Sequence, residues 1–492
     1  MMLNPTLMCD FYKLSHREQY PKNTQFIYST LVPRSNKLYN YSNHVVVAGF
    51  QAFIKKYLIN HFNNEFFNKP KKDVIDNYKR IVKYTLNQDN PETAHLEKLY
   101  DLGYLPIEIH ALPEGSIVKP GTPILTIENT HPDFFWLTNY LETIICTQTW
   151  QIMNSATLAY DLRNLLDYYA ESTVGSKNLA SIQGHDFSLR GMSSLESGEL
   201  SAFGHLLSFK STDTIPGITF AEKYYNANVE NEFIAGSIPA TEHSVMCANG
   251  DYESMNEYNM FYRLLTEIYP EGPFSVVSDT WDFWKVMTET IPQLKDIIMN
   301  RNGKMIVRPD SGDPVKILCG DPSAKTEYER KGTVEVLWDL FGGTITEKGY
   351  KLLDEHIGLI YGDSINYERA KEICQKLKDK GFASINVVLG IGSFSYQFTT
   401  RDVHGFAIKA TYAKIGNQEK LIYKDPKTDD GTKKSHKGRV CVFEDGSWKD
   451  GLYLHDWLNL QNKNQLTKIF ENGKLLKETS LNEIRNRLNT ND

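Results

Sequence analysis

The chain has 492 residues, of which 41% are hydrophobic and 23% charged, with a formal net charge of −7. That length exceeds what one small core can organise, so two domains, or one large α/β domain with additions, are expected. The balance lacks the basic surplus of a nucleic-acid footprint and no apolar run approaches bilayer-crossing length, so neither nucleic acid nor membrane is expected as a partner.

The first ten residues lack the basic start and apolar core of a secretory signal. The six cysteines (Cys9, Cys146, Cys247, Cys319, Cys374 and Cys441) have no metal-like spacing. Reduced thiols in a cytoplasmic protein are the expectation.

In chain order, residues 1–50 predict a short helix and then a strand over Phe26–Val32. Helical periodicity follows over Phe50–Leu58, Asp73–Leu86 and Pro91–Leu102. Pro106–Leu112 and Ile124–Ile127, punctuated by Gly/Pro turns, predict a small antiparallel unit. A long amphipathic helix with a break is expected over Phe134–Tyr168.

From about residue 180 apolar or small-residue strands end in polar clusters, at Ser188–Gly191, Ser208–Asp213, Gly236–His243, Ser275–Asp279, Met305–Pro314, Leu359–Asp363 and Asn386–Ser393. Helical segments over Val245–Ile268, Trp281–Met299, Lys331–Phe341 and Tyr367–Lys378 alternate with them. Strand–helix units repeated in this way predict a parallel α/β sheet, here an irregular (β/α)₈-like barrel. After Arg401 strand character returns at Phe406–Tyr412, Lys420–Lys424 and Val440–Phe443, before a last helix near Leu481–Leu488. These strands are expected to join the N-terminal ones in a second, β-rich α+β domain built from both chain ends. The expected division is 1–178 and 396–492 for that domain and 179–395 for the barrel.

A barrel brings its strand ends to one face, which would gather Arg190, Asp213, His243, Asp279, Arg308, Asp310 and Asp363 around one mouth. Each has a plainer reading. Asp279 and Asp363 stand before helices and could cap them, Arg190 could form a surface ion pair, and His243 could be a satisfied core histidine. Capping alone accounts for neither Arg308 nor His243. Arginines suit carboxamide, carboxylate or phosphate groups, and carboxylates suit ribose hydroxyls or a Mg²⁺ that itself holds phosphates. Gly390, Gly392 and Ser393 follow a late strand, where barrels often hold phosphate. Lys409, Lys424, Lys433 and Lys434 could also meet phosphate, although a solvated basic loop is the better reading of Lys433 and Lys434.

These residues sit in segments whose types and order resemble the nicotinamide phosphoribosyltransferase family of type II phosphoribosyltransferases: Asp10–Lys13, His185–Gly191, Phe209–Thr214, Pro239–Ser244, Ser275–Asp279, Val307–Gly312, Gly362–Asp363 and Thr400–Asp402. The resemblance implies transfer of a phosphoribosyl group from 5-phosphoribosyl 1-pyrophosphate to nicotinamide in NAD biosynthesis, by a homodimer with shared active sites. It implies that Phe187 and Tyr12, the latter from the other subunit with Asp10 beside it, sandwich the pyridine ring. Arg190 and Asp213 would hold the carboxamide. Asp310 and Asp363, with Gly362, would hold the ribose, and Arg308, Gly392 and Ser393 the 5-phosphate. Arg34, Arg401, Lys409 and Lys424 would meet phosphate or pyrophosphate. Mg²⁺ would accompany the polyphosphates, with no metal ligand set of the protein's own. ATP would be a co-substrate, phosphorylating His243 with Asp279 orienting the ring. Bulkier residues, Ile391 and Ser393–Ser395, stand where the family has a run of glycines, which reshapes that loop. A nicotinate phosphoribosyltransferase on the same fold is the nearest alternative, and an ionised Asp213 argues against it. A non-catalytic relative is the rival from another class, and the joint presence of Arg190, Asp213, His243, Arg308 and Asp310 argues against that.

Overall fold

The computed structural model describes residues 3–490 apart from Asp363, Asp430 and Thr432. Contacts divide the chain into two compact units. The first takes Met1–Thr157, Phe220–Ala227 and Thr399–Leu488, and the second takes Leu158–Thr219, Asn228–Phe398 and Asn489–Asp492. The division after Thr157 falls inside one continuous helix, Glu142–Thr173, so no turn or composition change marks it in the sequence.

In the first unit Thr24–Val32, rich in aromatic and β-branched residues that suit a pleated surface, is the third strand of a seven-stranded antiparallel sheet. The order is Gln418–Leu421, Ala407–Ile415, Thr24–Val32, Leu125–Asn129, Ile107–Ala111, Thr467–Glu471 and Lys474–Leu475. Both chain ends therefore build one sheet. The helix Lys71–Leu86 turns Val74, Ile75, Tyr78 and Val82 into the core, the stripe its periodicity dictates, and ends at Asn87 in the left-handed conformation. Ile107, Ile109, Leu125 and Ile127 are buried in the same core. Arg439 is buried there too. Its guanidinium lies 4.5–5.1 Å from the ring centroids of Trp457, Phe26, Tyr28 and Tyr412 and donates to Glu128 Oε2 at 2.8 Å.

The second unit carries a five-stranded parallel sheet, in the order Gly184–Asp186, Val387–Ile391, Ile357–Tyr361, Met305–Arg308 and Phe274–Val277. Strands such as Ile357–Tyr361 are buried along their whole length, as apolar runs covered on both faces must be. Two expected strands are reduced to isolated parallel bridges, Asp186 with Thr212, Ser211 with Gly236, and Ala240 with Ser275. Their serines and threonines add little apolar burial, and Pro239 has no N–H to give a ladder.

Two expectations are corrected here. Ser188–Gly191 is not a strand end; the strand stops at Asp186 and a 3₁₀ turn occupies Leu189–Gly191. The helix expected over Val245–Ile268 is broken into His243–Asn249 and Tyr258–Arg263, the latter continuing as π-helix over Leu264–Ile268. Gly250 ends the first piece where a β-carbon would come 2.5 Å from the Trp281 ring, and Asp251 and Asn256 pair across the loop that follows. No helix among the described residues is long and apolar enough to cross a membrane.

Candidate active site

In the second unit the polar residues after Met305–Arg308 are fixed by the backbone around them. Asp313 accepts from the N–H groups of Val315 and Lys316, capping the helix Pro314–Cys319, and Gly312, at φ +90°, gives its carbonyl to the Tyr361 hydroxyl at 2.9 Å. Asp310 donates its N–H to Asp279 Oδ2 at 3.1 Å. The other oxygen of Asp279 lies 3.2 Å from His243 Nε2. Asp279 is 4% exposed in its side chain and His243 48%, so a buried carboxylate holds one edge of an accessible imidazole. Asp279 does not cap the helix that follows, because Asp282 does so by accepting from Lys285 N–H at 3.0 Å.

A cavity of about 280 Å³ opens beside these residues, walled by Ile306, Ile360 and Val388 and lined by His185, Phe187, Asp213, Ser237 and Arg308. His185 stands between Ser211 and Asp213. The network assigns its proton to Nε2, which donates to Asp213 Oδ1 at 2.9 Å, while Nδ1 accepts from the Ser211 hydroxyl. Ser237 also donates to Asp213 Oδ1. Burial pushes the Asp213 carboxyl up, but the hydrogen bonds from His185 and Ser237, with the charge of Arg308, outweigh it and hold the carboxyl below the usual range. Asp213 is thus a carboxylate facing the cavity. Arg308 donates to the Thr241 carbonyl at 2.7 Å through Nη2, and its buried Nε has no partner among the described residues.

Two glycines allow this crowding. A β-carbon on Gly390 would lie 2.8 Å from the Phe187 ring, and one on Gly362 would lie 2.3 Å from Asp310 Oδ1. Arg190 is exposed on the 3₁₀ turn after Phe187 and outside the cavity lining. Gly392 caps the short helix Ser393–Tyr396. Asp363 lies outside the described residues.

The remaining expected site residues belong to the first unit. Arg34 and Lys409 line a second cavity, of about 310 Å³, together with Lys433, Lys434, His436 and Trp448. Arg34 Nε donates to the Gly405 carbonyl at 2.9 Å, and His436 Nε2 reaches the Gly121 carbonyl at 2.8 Å. Arg401 pairs with Asp402 at 3.2 Å, and Lys424 contributes its backbone N–H to Ser435; neither lines the cavity. Tyr12 is 59% exposed and Asp10 accepts from the Thr143 hydroxyl at 2.6 Å. Sequence reasoning gave no role to His185 or Ser237 and favoured a solvated loop for Lys433 and Lys434. The signal for His185 was its place two residues before Phe187. Nothing in the sequence marks Ser237 as a partner of Asp213.

Comparison with known proteins decides the family. A model of the nicotinate phosphoribosyltransferase family matches residues 182–474, and one of the nicotinamide phosphoribosyltransferase N-terminal domain matches residues 4–109. A nicotinamide phosphoribosyltransferase of Acinetobacter baylyi is 46% identical over 99% of this chain and 97% of its own length. The chain belongs to the nicotinate and nicotinamide phosphoribosyltransferase family. A nicotinamide phosphoribosyltransferase of Mycoplasma pneumoniae is 36% identical over 89% of this chain and 95% of its own. Among solved structures, nicotinate-nucleotide pyrophosphorylase from Pyrococcus furiosus has the same fold at a TM-score of 0.57 and 16% identity, covering 99% of this chain and 95% of that one. Human nicotinic acid phosphoribosyltransferase follows at 0.55 and 15%, covering 98% and 93%.

Proposed function

We infer that this chain joins nicotinamide to 5-phosphoribosyl 1-pyrophosphate, giving nicotinamide mononucleotide and pyrophosphate, a step of NAD biosynthesis. The observation that carries the reading is the ionised Asp213 facing a cavity that Phe187 also lines. A carboxylate accepts from a carboxamide N–H, whereas it meets the carboxylate of nicotinate as a like charge at short range. The names of the Acinetobacter and Mycoplasma relatives support the same choice.

In this reading Phe187 is one flat wall for the pyridine and Tyr12 the other, contributed by the second copy in a homodimer. Arg190 donates to the carboxamide oxygen. Asp310 and Asp363 hold the ribose hydroxyls, and Arg308, Gly392 and Ser393 the 5-phosphate. Arg34 and Lys409 meet pyrophosphate, and their cavity adds Lys433 and Lys434 to that role. The reading takes the five parallel strands and the three bridges as parts of one irregular barrel, which would bring their ends to a common mouth.

The ring nitrogen of nicotinamide attacks C1 of the ribose as the C1–O bond breaks, and the bonding pair leaves with pyrophosphate. Mg²⁺ carried by the polyphosphate, with no ligand set from the protein, would supply charge neutralisation at its oxygens. The protein's part is positioning and charge stabilisation. ATP acts at His243. With Nε2–H held by Asp279, Nδ1 attacks the γ-phosphoryl group, an N–P bond forms, and ADP leaves with the broken P–O pair.

Incubating the protein with Mg²⁺, phosphoribosyl pyrophosphate and either pyridine, with and without ATP, tests the reading. Nicotinamide mononucleotide should be the preferred product, formed further in the presence of ATP. A clear preference for nicotinate would overturn the substrate assignment.

A further inference from the structure

Within the first unit one carboxylate is shared by two lysines. Glu142, the first residue of the helix Glu142–Thr173, pairs through Oε2 with Lys13 and through Oε1 with Lys409, the latter at 3.3 Å. Lys13 is 4% exposed in its side chain and Glu142 17%, while Lys409 is 43% exposed. The Lys13 ammonium lies 5.1 Å from the Tyr12 ring centroid. Thr143, next on the helix, donates to Asp10 Oδ2 at 2.6 Å. The first turn of one helix thus grips the segment that carries Tyr12 and, with the same carboxylate, a lysine of the basic cavity.

A buried ion pair is often no better for folding than apolar residues of the same volume, and a half-exposed third member adds little. The effect of the shared carboxylate is on geometry. A lysine is a flexible stem, and fixing it beforehand removes part of the ordering cost of binding.

We propose that Glu142 is a positioning residue that sets both halves of the substrate site, the ring wall at Tyr12 and the phosphate-binding ammonium of Lys409. This rests on the roles given to Tyr12 and Lys409 above. Burial pushes the Lys13 ammonium toward neutrality, but the Glu142 carboxylate outweighs it and keeps the lysine pKa above its usual value, so the grip on the Tyr12 segment stays ionic.

Steady-state kinetics of the full chain test the proposal. Glu142→Gln should raise KM for nicotinamide and for phosphoribosyl pyrophosphate together, each about five- to tenfold, with kcat within about twofold. Added to Lys409→Ala, it should raise KM for phosphoribosyl pyrophosphate no further. Because Glu142→Gln leaves Lys13 buried and unpaired, a Lys13→Met/Glu142→Gln variant, neutral at both positions, should fold and still show the raised KM for phosphoribosyl pyrophosphate. Unchanged KM values in folded Glu142→Gln, a fall in kcat alone, or full additivity with Lys409→Ala would overturn it. Loss of folding in both Glu142 variants would assign the residue to the core and overturn it too. Tyr12→Ala and Lys409→Ala separate the two levels. If these raise KM while Glu142→Gln does not, only the role of Glu142 falls; if these also leave KM unchanged, the site reading falls with it.

Discussion

Gly362 lies so close to Asp310 that a β-carbon added to it would meet Oδ1 at 2.3 Å. Carbon and oxygen cannot approach so closely, and the backbone N–H of Asp310 is tied to Asp279, so the Asp310 side chain must swing away. Gly362→Ala should therefore cut kcat/KM for phosphoribosyl pyrophosphate by about 10- to 100-fold, the cost of misplacing a positioning group by an ångström or so. Far-UV circular dichroism should be unchanged. Retained activity would remove Asp310 from ribose binding.

Asp213→Asn should erode the preference for nicotinamide over nicotinate, because the like charge that repels nicotinate disappears. The Asp213 carboxyl sits below its usual range in the folded chain. Its charge is therefore complete above the unfolded carboxylate value and is lost only as pH falls through the lower folded one. Selectivity in a competition assay should be flat through neutral pH and decline only in acid. A variant with undiminished preference would take Asp213 out of the specificity role.

His243→Ala should abolish the stimulation by ATP while sparing more of the basal transfer, and Asp279→Asn should do the same more mildly by loosening the imidazole held at 3.2 Å. Parallel assays with and without ATP measure the ratio. Equal loss of both activities would give His243 a different task.

Arg439→Met should destabilise the first unit by about 3–5 kcal/mol, the usual cost of stripping a buried carboxylate of its partner. Burial pushes the Glu128 carboxyl up while the Arg439 charge pulls it down. Without the arginine the folded value rises further, so the folded state holds its proton more tightly. Folded stability relative to the parent then falls as pH rises through that value. Urea titrations at acid and neutral pH should show the larger loss at neutral pH, and Glu128→Gln should restore part of it. Equal losses at both pH values would assign the effect to the four aromatic rings alone.

Much of this site is legible in the sequence where chemistry sits at the end of an apolar run. Arg308 and Asp310 announce themselves in that way, and so does Asp279. Whether Asp279 caps a helix cannot be read off, because Asp282 is as good a cap three residues on and only the helix start decides between them. The strands near 211 and 236–240 read as full strands and survive as single bridges, since serine, threonine and proline supply neither the burial nor the N–H groups of a ladder. Gly250, where the first helix piece ends, has no room for a β-carbon beside Trp281, a contact between residues 31 positions apart that no local pattern encodes. His185 and Ser237 gain meaning only through Asp213, which each meets from a different strand end.

The strand Thr24–Val32 is flanked by Leu125–Asn129 on one side and by Ala407–Ile415 on the other. During synthesis it emerges early, finds its first neighbour about a hundred residues later, and then waits with an open edge for nearly three hundred more. The second unit, by contrast, has all of its residues except Asn489–Asp492 once residue 398 has left the ribosome. The interior of the chain can thus fold on its own schedule while the unit built from its ends closes last. Nascent chains stalled before residue 407 should be those that recruit chaperones, and any truncation from the C-terminus past that strand should cost the whole antiparallel sheet.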